Sequence, residues 1–349
     1  MAIDILNKRR QLTDGSEFDV TQRRRLIDES EIDVIIRRIL KDEPEFDVIT
    51  DDDDDEQFKF LLCSEKLSSV FDPIDDDDVL PIPELNKDRG ADVSVGGTGS
   101  TIMVAGSFYI PKLNDEKPLG EDASFICIKQ QTIGVADGVG GWAKKGIDSG
   151  VYSRELMKNA ELAVRNNDNS TTVDLMKVLN EAYSNTKAKG SSTACILTLS
   201  DDTLHAVNVG DSGFVVIRDG LIVYKSEIQQ SRFNCPFQLG NASSSDDPSV
   251  AQKISFPVIA GDVIVLGTDG LFDNVHDFEL ETLVKSGVYS WESDVPESLA
   301  WRIALYALDN AKSTKLYSPY SRECSKVGIE RDGGKYDDIT VVVANIWPL

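Results

Sequence analysis

Hydrophobic positions follow a regular pattern only in the later part of the chain, from about residue 91 onward. Short segments rich in β-branched and aromatic residues alternate there with glycine and polar residues, as is typical of strands joined by turns. Strands are predicted over 101–109, 124–129, 132–136, 193–199, 203–209, 214–218, 221–224, 263–267 and 339–346. The pair Asp219-Gly220, between two of these segments, predicts a tight hairpin.

Helical periodicity marks four other segments. Over residues 150–164, Tyr152, Leu156, Ala160 and Ala163 fall on one face of a helix. Further helices are predicted over 172–187, 277–286 and 297–311. Runs of strands with helix pairs inserted between them predict an α+β fold, with helices packed on antiparallel sheets. Strict β-α alternation is absent from the sequence, which disfavours a doubly wound parallel sheet.

The first 90 residues contain a repeat of a different kind. Similar four-residue motifs occur at 17–20, 31–34 and 45–48, and clusters of basic residues repeat with the same 14-residue period. Two acidic runs follow at 51–56 and 75–78, and such runs repel themselves and stay solvated. We therefore predict a disordered acidic extension over 1–90 and a folded domain over 91–349. The extension has a second interpretation as a docking arm for a partner.

Charge and composition exclude several classes of protein. The 349 residues include 60 acidic and 36 basic side chains, for a net charge of −24. Such a chain repels nucleic-acid backbones and anionic membranes, and no apolar run approaches the ~20 residues of a spanning helix. The N-terminus lacks an apolar signal core and is too acidic for a transit peptide. We expect no nucleic-acid or membrane partner and a cytoplasmic or nuclear location, with an organelle left open.

The number and spacing of cysteines and histidines exclude several kinds of metal site. The five cysteines are widely spaced without a C-x-x-C pair, which argues against a disulfide framework and a thiolate zinc site. With His205 and His276 as the two histidines, three-histidine zinc sites and the H-E-x-x-H helix are excluded. We interpret His205 as structural and His276 as a capping or surface residue. Metal chemistry on carboxylates stays open.

Acidic residues stand at the ends of four predicted strands, in the pairs Glu121-Asp122, Asp137-Gly138, Asp269-Gly270 and Asp337-Asp338. Strand ends are rigid and can direct several carboxylates to one point. Mg²⁺ and Mn²⁺ prefer oxygen ligands, and two such ions about 3.5–4 Å apart can activate a water for attack on phosphorus. A single Asp-Gly is more often a simple turn, so the residues alone leave open whether these pairs converge.

Six motifs, in this order, resemble those of the PP2C-type (PPM family) metal-dependent protein Ser/Thr phosphatases. They are GEDASF (120–125), GVADGVGGWA (134–143), SSTACILTL (191–199), VNVGDSG (207–213), VIVLGTDGLFDN (263–274) and YDDITVVVANI (336–346). The stretch 134–157 most resembles the PPTC7-like branch. The resemblance covers residues ~100–346 and implies a central β-sandwich of two antiparallel sheets with helices on both outer faces. It also implies a monomeric catalytic domain that hydrolyses phosphoserine and phosphothreonine in phosphoproteins.

The same resemblance implies two bound Mg²⁺ or Mn²⁺ ions and assigns their ligands. Asp137 matches the carboxylate that bridges the two ions, and the Gly138 carbonyl matches a backbone ligand. Glu121 matches the outer carboxylate of one ion, while Asp269 and Asp337 match ligands of the other. Asp137 and Asp269 are therefore the residues expected to hold the metal-activated water.

Further positions match less closely. Asp211 matches the family position of a third, weaker ion, and Asp122 and Asp338 match supporting positions. An arginine that grips the substrate phosphate in many members is replaced by Lys117, which supplies charge without a bidentate fork. The histidine thought to protonate the leaving alkoxide is replaced by Val139.

These replacements keep two alternatives open. The chain is either an active phosphatase or a weakly active member that binds phosphoproteins as a scaffold. A third possibility makes the acidic arm the main functional part, as a binding module for basic partners.

Overall fold

The computed structural model describes residues 101–114, 117–166, 172–288 and 296–349. The predicted acidic repeat over 1–90, its disorder and the domain boundary at residue 91 lie outside the described residues.

Ten strands of the described chain form two antiparallel five-stranded sheets. The first sheet has the order β1-β14-β13-β7-β8, with β1 Thr101–Ile110, β7 Gly213–Arg218, β8 Leu221–Lys225, β13 Val263–Gly267 and β14 Ile339–Pro348. The second has the order β12-β6-β5-β3-β2, with β2 Asp122–Cys127, β3 Thr132–Asp137, β5 Ala194–Ser200, β6 Thr203–Val209 and β12 Gln252–Pro257. Two short pairs complete the strands: β4 Ser191–Ser192 with β11 Leu239–Gly240, and β9 Gln230–Arg232 with β10 Cys235–Pro236.

The helices of the described residues pack outside this pair of sheets. Their bounds are α1 Ser149–Arg165, α2 Leu175–Asn185, α3 Asp269–Phe272, α4 Asp277–Val288, α5 Pro296–Lys312 and α6 Pro319–Lys326. Short 3₁₀ turns occur at Ile128–Gln130, Gly140–Lys145 and Pro248–Val250.

Alternation along the strands creates three apolar layers. Val216 packs between the sheets with side chains from both of them, including Leu197 and Leu266. Its neighbour Val215 points the other way and packs with α4 and α5. On the second sheet, Ile196 belongs to the layer that contains the buried faces of α1 and α2. The predicted β-sandwich with helices on both outer faces is therefore confirmed.

Local sequence signals explain where several elements begin and turn. The Asp148 side chain caps α1 by accepting a hydrogen bond from the Gly150 N–H at 2.9 Å. Asp219 and Gly220 both adopt positive φ, at 52° and 76°, which gives the predicted hairpin between β7 and β8 its right-handed twist. The helix predicted over 172–187 begins at Leu175 instead, after the Asp174 cap.

One predicted strand was misplaced, and several short elements, among them β4, β9, β10, β11 and α3, were not predicted. The strand expected over 124–129 covers Asp122–Cys127, and a 3₁₀ turn follows it. Asp122 lies inside this strand, and its Oδ2 atom accepts hydrogen bonds from the hydroxyl groups of Thr268 and Thr340. The sequence also did not predict β12 or α6, because the former is a short edge strand that contains Lys253 and Pro257 and the latter lacks an apolar stripe. Among the described residues, no helix is long and apolar enough to cross a membrane.

The layered core predicts that an interior leucine contributes more to the free energy of unfolding than a leucine on an edge strand. Leu266 is fully buried between the sheets, whereas Leu221 on the edge strand is 56% exposed. Leu266→Ala should lower the free energy of unfolding by about 2–5 kcal/mol, because it leaves a cavity in a packed layer. Leu221→Ala should change it by less than about 0.5 kcal/mol. Urea denaturation of both variants tests this difference, and equal losses would contradict the assignment of the interior layer.

Candidate active site

Strand ends from both sheets bring three carboxylates together. Asp137 ends β3, Asp211 lies in the turn between β6 and β7, and Asp269 begins α3 directly after β13. Each offers a carboxylate oxygen within 4.8 Å of the other two. These residues are far apart in sequence, so the sandwich itself creates the cluster. The convergence that the sequence left open is present for these three residues.

The glycines after two of these aspartates allow close backbone approach. A Cβ atom on Gly138 would lie 2.6 Å from the Glu121 carbonyl oxygen, and the Gly138 N–H donates to that oxygen at 2.9 Å. A Cβ atom on Gly270 would lie 1.8 Å from the Asp338 carbonyl oxygen. Any side chain at either position would push apart the segments that carry the acidic residues. Each Asp-Gly pair is therefore a packing requirement and not a simple turn.

Two oxygens of the cluster are buried without a partner. Asp211 Oδ1 and Asp269 Oδ1 accept no hydrogen bond from the described residues. A buried carboxylate oxygen without a donor is costly, and such atoms are rare in folded proteins. Hard divalent cations such as Mg²⁺ and Mn²⁺ bind to anionic oxygens of this kind. The donor set of the cluster therefore fits the metal ions that the sequence resemblance implies.

Burial and mutual repulsion dominate the electrostatics of the cluster. Burial, followed by the charges of Asp269 and Asp122, raises the pKa of Asp137 well above its usual range. Burial, followed by the charge of Asp269, raises the pKa of Asp211 to about 8. In the metal-free protein both carboxyl groups therefore disfavour the ionised form more than an exposed aspartate does. A cation bound among them would reverse that preference.

Two further residues belong to this cluster and were not predicted from the sequence. The Lys335 ammonium contacts Asp269 Oδ2 and lies 3.0 Å from Asp273 Oδ2 and 3.5 Å from Asp337 Oδ2. Burial raises the pKa of Asp273 to about 6, although the Lys335 charge opposes that shift. The pKa of Lys335 is itself raised, because three carboxylates outweigh its burial. Asp273 stands four residues after Asp269 in sequence, a helical spacing that signals proximity. Lys335 stands two residues before Asp337.

Asp122 and Asp338 lie beneath the cluster and hold its backbone in place. Asp122 Oδ2 accepts hydrogen bonds from the Thr268 and Thr340 hydroxyls, both at 2.7 Å, which links the two sheets. Asp338 accepts bonds from the Tyr109 hydroxyl at 2.9 Å and from the Glu121 N–H at 3.2 Å. These contacts agree with the supporting roles predicted for both residues.

Glu121 is held apart from the three converging aspartates by a network of its own. Its Oε1 atom accepts hydrogen bonds from the Ser149 hydroxyl and from the Lys117 ammonium, the latter at 2.7 Å. Lys117 is therefore paired with a carboxylate, and its contact with a substrate phosphate stays a prediction. The ligand roles of Glu121, Asp337 and the Gly138 carbonyl also stay predictions.

Neither histidine belongs to the acidic cluster. His205 Nδ1 forms a hydrogen bond of 2.9 Å with Ser255 Oγ, across the pair β6–β12. His276 Nε2 lies 2.8 Å from the Tyr317 carbonyl oxygen, and its backbone N–H donates to Glu279 at the start of α4. Both contacts agree with the structural roles predicted for these residues. Val139, at the position where many PP2C phosphatases have a histidine, is half-buried.

An open groove lies beside the cluster. Asp211, Asp269 and Phe233 are among its lining residues, and so are Lys225 and Arg322, which are paired with Asp277 and Glu323. The groove therefore places aromatic side chains and ion-paired basic side chains near the carboxylates.

Comparison with known proteins agrees with this geometry. The family model described as Stage II sporulation protein E (SpoIIE) matches residues 129–347. The chain is 46% identical over 244 residues to "Probable protein phosphatase 2C 80" of Arabidopsis thaliana, a match that covers 70% of this chain and 58% of that protein. It is 40% identical over 257 residues to "Protein phosphatase PTC7 homolog fig" of Drosophila willistoni, covering 68% of this chain and 80% of that protein.

A solved structure shares the fold as well. The photosystem II phosphatase PBCP superposes with a TM-score of 0.64 and 30% identity, over 70% of this chain and 98% of that one. The chain spans little more than half the length of the Arabidopsis relatives it matches, at 58% and 52%. The acidic cluster at the strand ends, the matching family model and the identity to named phosphatases all agree. This chain belongs to the PP2C family of protein phosphatases.

Proposed function

We propose that this chain is a metal-dependent protein serine/threonine phosphatase that uses Mg²⁺ or Mn²⁺. The observation that carries the proposal is the convergence of Asp137, Asp211 and Asp269 around buried oxygens that lack hydrogen-bond donors. The relatives named protein phosphatase support the reaction class.

The proposed metal ligands come from the chain's own carboxylates. Asp137 and Asp269 would hold the ions, with Asp337, Glu121 and the Gly138 carbonyl as further ligands. Asp211 is the proposed ligand of a weaker site. Divalent ions bound there would supply Lewis-acid stabilisation of a phosphoryl group and a water of lowered pKa.

The chain's contribution to catalysis is to hold these groups rigidly. Asp122 is fixed between two threonine hydroxyls, and Asp338 fixes the Glu121 backbone. Lys117 and Ser149 both donate hydrogen bonds to Glu121 Oε1 and so orient the Glu121 carboxylate. Such pre-organisation lowers the cost of aligning a phosphate with its attacking group.

The groove beside the cluster suits a phosphoprotein substrate. A phosphorylated side chain could reach the carboxylates and their metal ions at one end. Apolar groups of the residues that flank it in the substrate could contact Phe233. A monomeric catalytic domain in the cytoplasm or nucleus remains a proposal that rests on composition and resemblance.

Protonation of the leaving group distinguishes this chain from many members of the family. The Val139 side chain has no acidic proton to donate. Both histidines form hydrogen bonds outside the acidic cluster. We propose that water or an acidic group of the cluster supplies the proton to the alkoxide. The competing proposal, a weakly active scaffold that binds phosphoproteins, draws its support from the same Val139 and from the pairing of Lys117 with Glu121.

The proposed ligands can be tested by removing one charge at a time. With saturating Mn²⁺, Asp137→Asn and Asp269→Asn should each lower kcat on a phosphoserine peptide by about 10²-fold or more, because the group that stabilises phosphoryl charge is lost. Asp309→Asn, an exposed carboxylate on α5, serves as the matched control and should leave kcat unchanged. Near-normal turnover in both cluster variants would contradict the metal assignment. A wild-type enzyme without metal-dependent turnover would favour the scaffold.

The shifted carboxyl groups predict how metal-free stability depends on pH. Because folding raises the pKa of Asp211 to about 8 and of Asp273 to about 6, the folded state binds more protons than the unfolded state between pH 4 and those values. This contribution to stability is present below pH 4 and is lost as the pH rises through 6 and 8. The Tm of EDTA-treated protein should therefore fall between pH 5.5 and 8.5.

Two comparisons assign this pH effect to the cluster. Asp211→Asn should flatten the dependence of Tm on pH, because amides do not titrate, whereas Asp309→Asn should not. Excess Mn²⁺ should reduce the fall in wild-type protein. A metal-free Tm that rises steadily from pH 5.5 to 8.5 would refute the proposed repulsion.

The missing general acid predicts a gain of function. A seryl alkoxide needs a proton as it leaves, whereas a nitrophenolate does not. Val139→His should raise kcat on a phosphoserine peptide more than on nitrophenyl phosphate, by less than the roughly 10²–10⁴-fold of an optimised general acid. It should also add a limb to the pH–rate profile near the histidine pKa of about 6.5. Val139→Leu is the control for packing, and equal changes on both substrates would show that another group donates the proton.

A further inference from the structure

The Lys335 ammonium lies inside the carboxylate cluster. Its Nζ atom contacts Asp269, Asp273 and Asp337, and its side chain is only 14% exposed. Three carboxylates match the three N–H donors of an ammonium group. An exposed lysine rarely keeps several ion pairs at once, because the side-chain entropy it loses cancels most of the electrostatic attraction.

The backbone of Lys335 is tied to the same loop as its carboxylate partners. Its N–H donates to Asn274 Oδ1 at 2.9 Å, and its carbonyl oxygen accepts from Asn274 Nδ2 at 2.8 Å. Asn274 Nδ2 also donates to the Gly270 carbonyl oxygen at 2.8 Å, and Asn274 is fully buried. One buried amide therefore fixes the lysine relative to the segment that carries Asp269.

The two residues before Lys335 let the chain reach this position. Gly333 has a φ of +89°, and its N–H donates to the Leu316 carbonyl oxygen at 2.8 Å. A Cβ atom on Gly334 would lie 2.2 Å from the Asn310 carbonyl oxygen and 2.7 Å from Asn274 Oδ1. The backbone thus passes too close to α5 for any side chain. The ammonium reaches the cluster from a rigid and specific turn.

The contacts divide the cluster into two sides. The Lys335 ammonium contacts Oδ2 of Asp269 and Oδ2 of Asp273. By contrast, Oδ1 of Asp269 and Oδ1 of Asp211 accept no hydrogen bond from the described residues. Among the described ion pairs, Lys335 has none with Asp137 or Asp211, whose carboxylate oxygens lie within 4.8 Å of an Asp269 oxygen. When ionised, the five aspartates of the cluster, including Asp337, carry a formal charge of −5. The Lys335 ammonium supplies one of the positive charges that these carboxylates need.

We propose that Lys335 is a tethered cation that occupies the Asp269–Asp273 side of the cluster in place of a further divalent ion. It thereby limits the number of metal ions that the site binds and keeps the carboxylates together when metal is absent. Lys335 is a positioning residue, because it acts through the carboxylates. The inference rests on the proposed function, in that the remaining side of the cluster binds divalent metal.

The test counts metal ions bound to the full chain. Lys335→Met removes the charge at similar length, and Lys335→Arg keeps it. Lys158→Met removes an exposed lysine on α1 and serves as the matched control. Electron paramagnetic resonance of free Mn²⁺ measures the number of ions bound at saturation, and thermal unfolding in EDTA measures how well the metal-free cluster holds together.

We expect Lys335→Met to bind one more Mn²⁺ per chain than wild type, and Lys335→Arg and Lys158→Met to bind the wild-type number. In EDTA, Lys335→Met should show a lower Tm than Lys158→Met, because the cluster has lost its counter-ion. Saturating Mn²⁺ should restore that Tm, since a metal ion can take the place of the ammonium.

Two results would overturn the inference alone. One is a Lys335→Met protein that binds the wild-type number of ions, and the other is a Lys335→Met protein that stays unfolded in saturating Mn²⁺. A wild-type chain that binds no Mn²⁺ would instead contradict the proposed metal site, and this inference with it.

Discussion

Electrostatic repulsion among buried carboxylates is the constraint on which the rest of this site depends. Asp137, Asp211 and Asp269 bring oxygen atoms within 4.8 Å of one another at the strand ends of a packed sandwich. Two like charges at that distance and in a partly desolvated setting repel each other by about 3.5 kcal/mol at an effective dielectric constant of 20. Burial and the same repulsion raise the pKa values of Asp137 and Asp211. A fold that maintains this arrangement needs positive charge beside the carboxylates, either from bound metal ions or from a basic side chain.

The remaining features of the site keep the carboxylates from moving apart. Gly138 and Gly270 allow backbone segments to approach where a Cβ atom would collide with a carbonyl oxygen. Asp122 links the sheets through two threonine hydroxyls in the layer beneath. The sandwich core supplies the stability that the cluster opposes, since its central strands are buried on both faces. Lys335 adds a positive charge from within the chain and offsets part of the repulsion.

Much of this architecture could be predicted from the sequence. Strand periodicity and the Asp219-Gly220 hairpin indicated an antiparallel α+β fold, and the order of six motifs identified the family. Convergence of the aspartates could not be derived from spacing alone, because it depends on how two sheets align their ends. The position of Lys335 in the cluster could not be predicted either, because it also depends on the folded arrangement. A lysine between glycines and acidic residues looks like a solvated turn until Asn274 is seen to hold its backbone. Edge strand β12 was missed because its residues are only partly buried, which leaves a weak pattern.

The central claim is that this carboxylate cluster is a cation site. Anomalous diffraction from crystals grown with Mn²⁺ tests it most directly, because the scattering locates each ion without reference to activity. The account predicts anomalous peaks within coordination distance of carboxylate oxygens of Asp137 and Asp269, with the Lys335 ammonium still on Asp273. Crystals that bind Mn²⁺ elsewhere and show no anomalous density among these aspartates would contradict it.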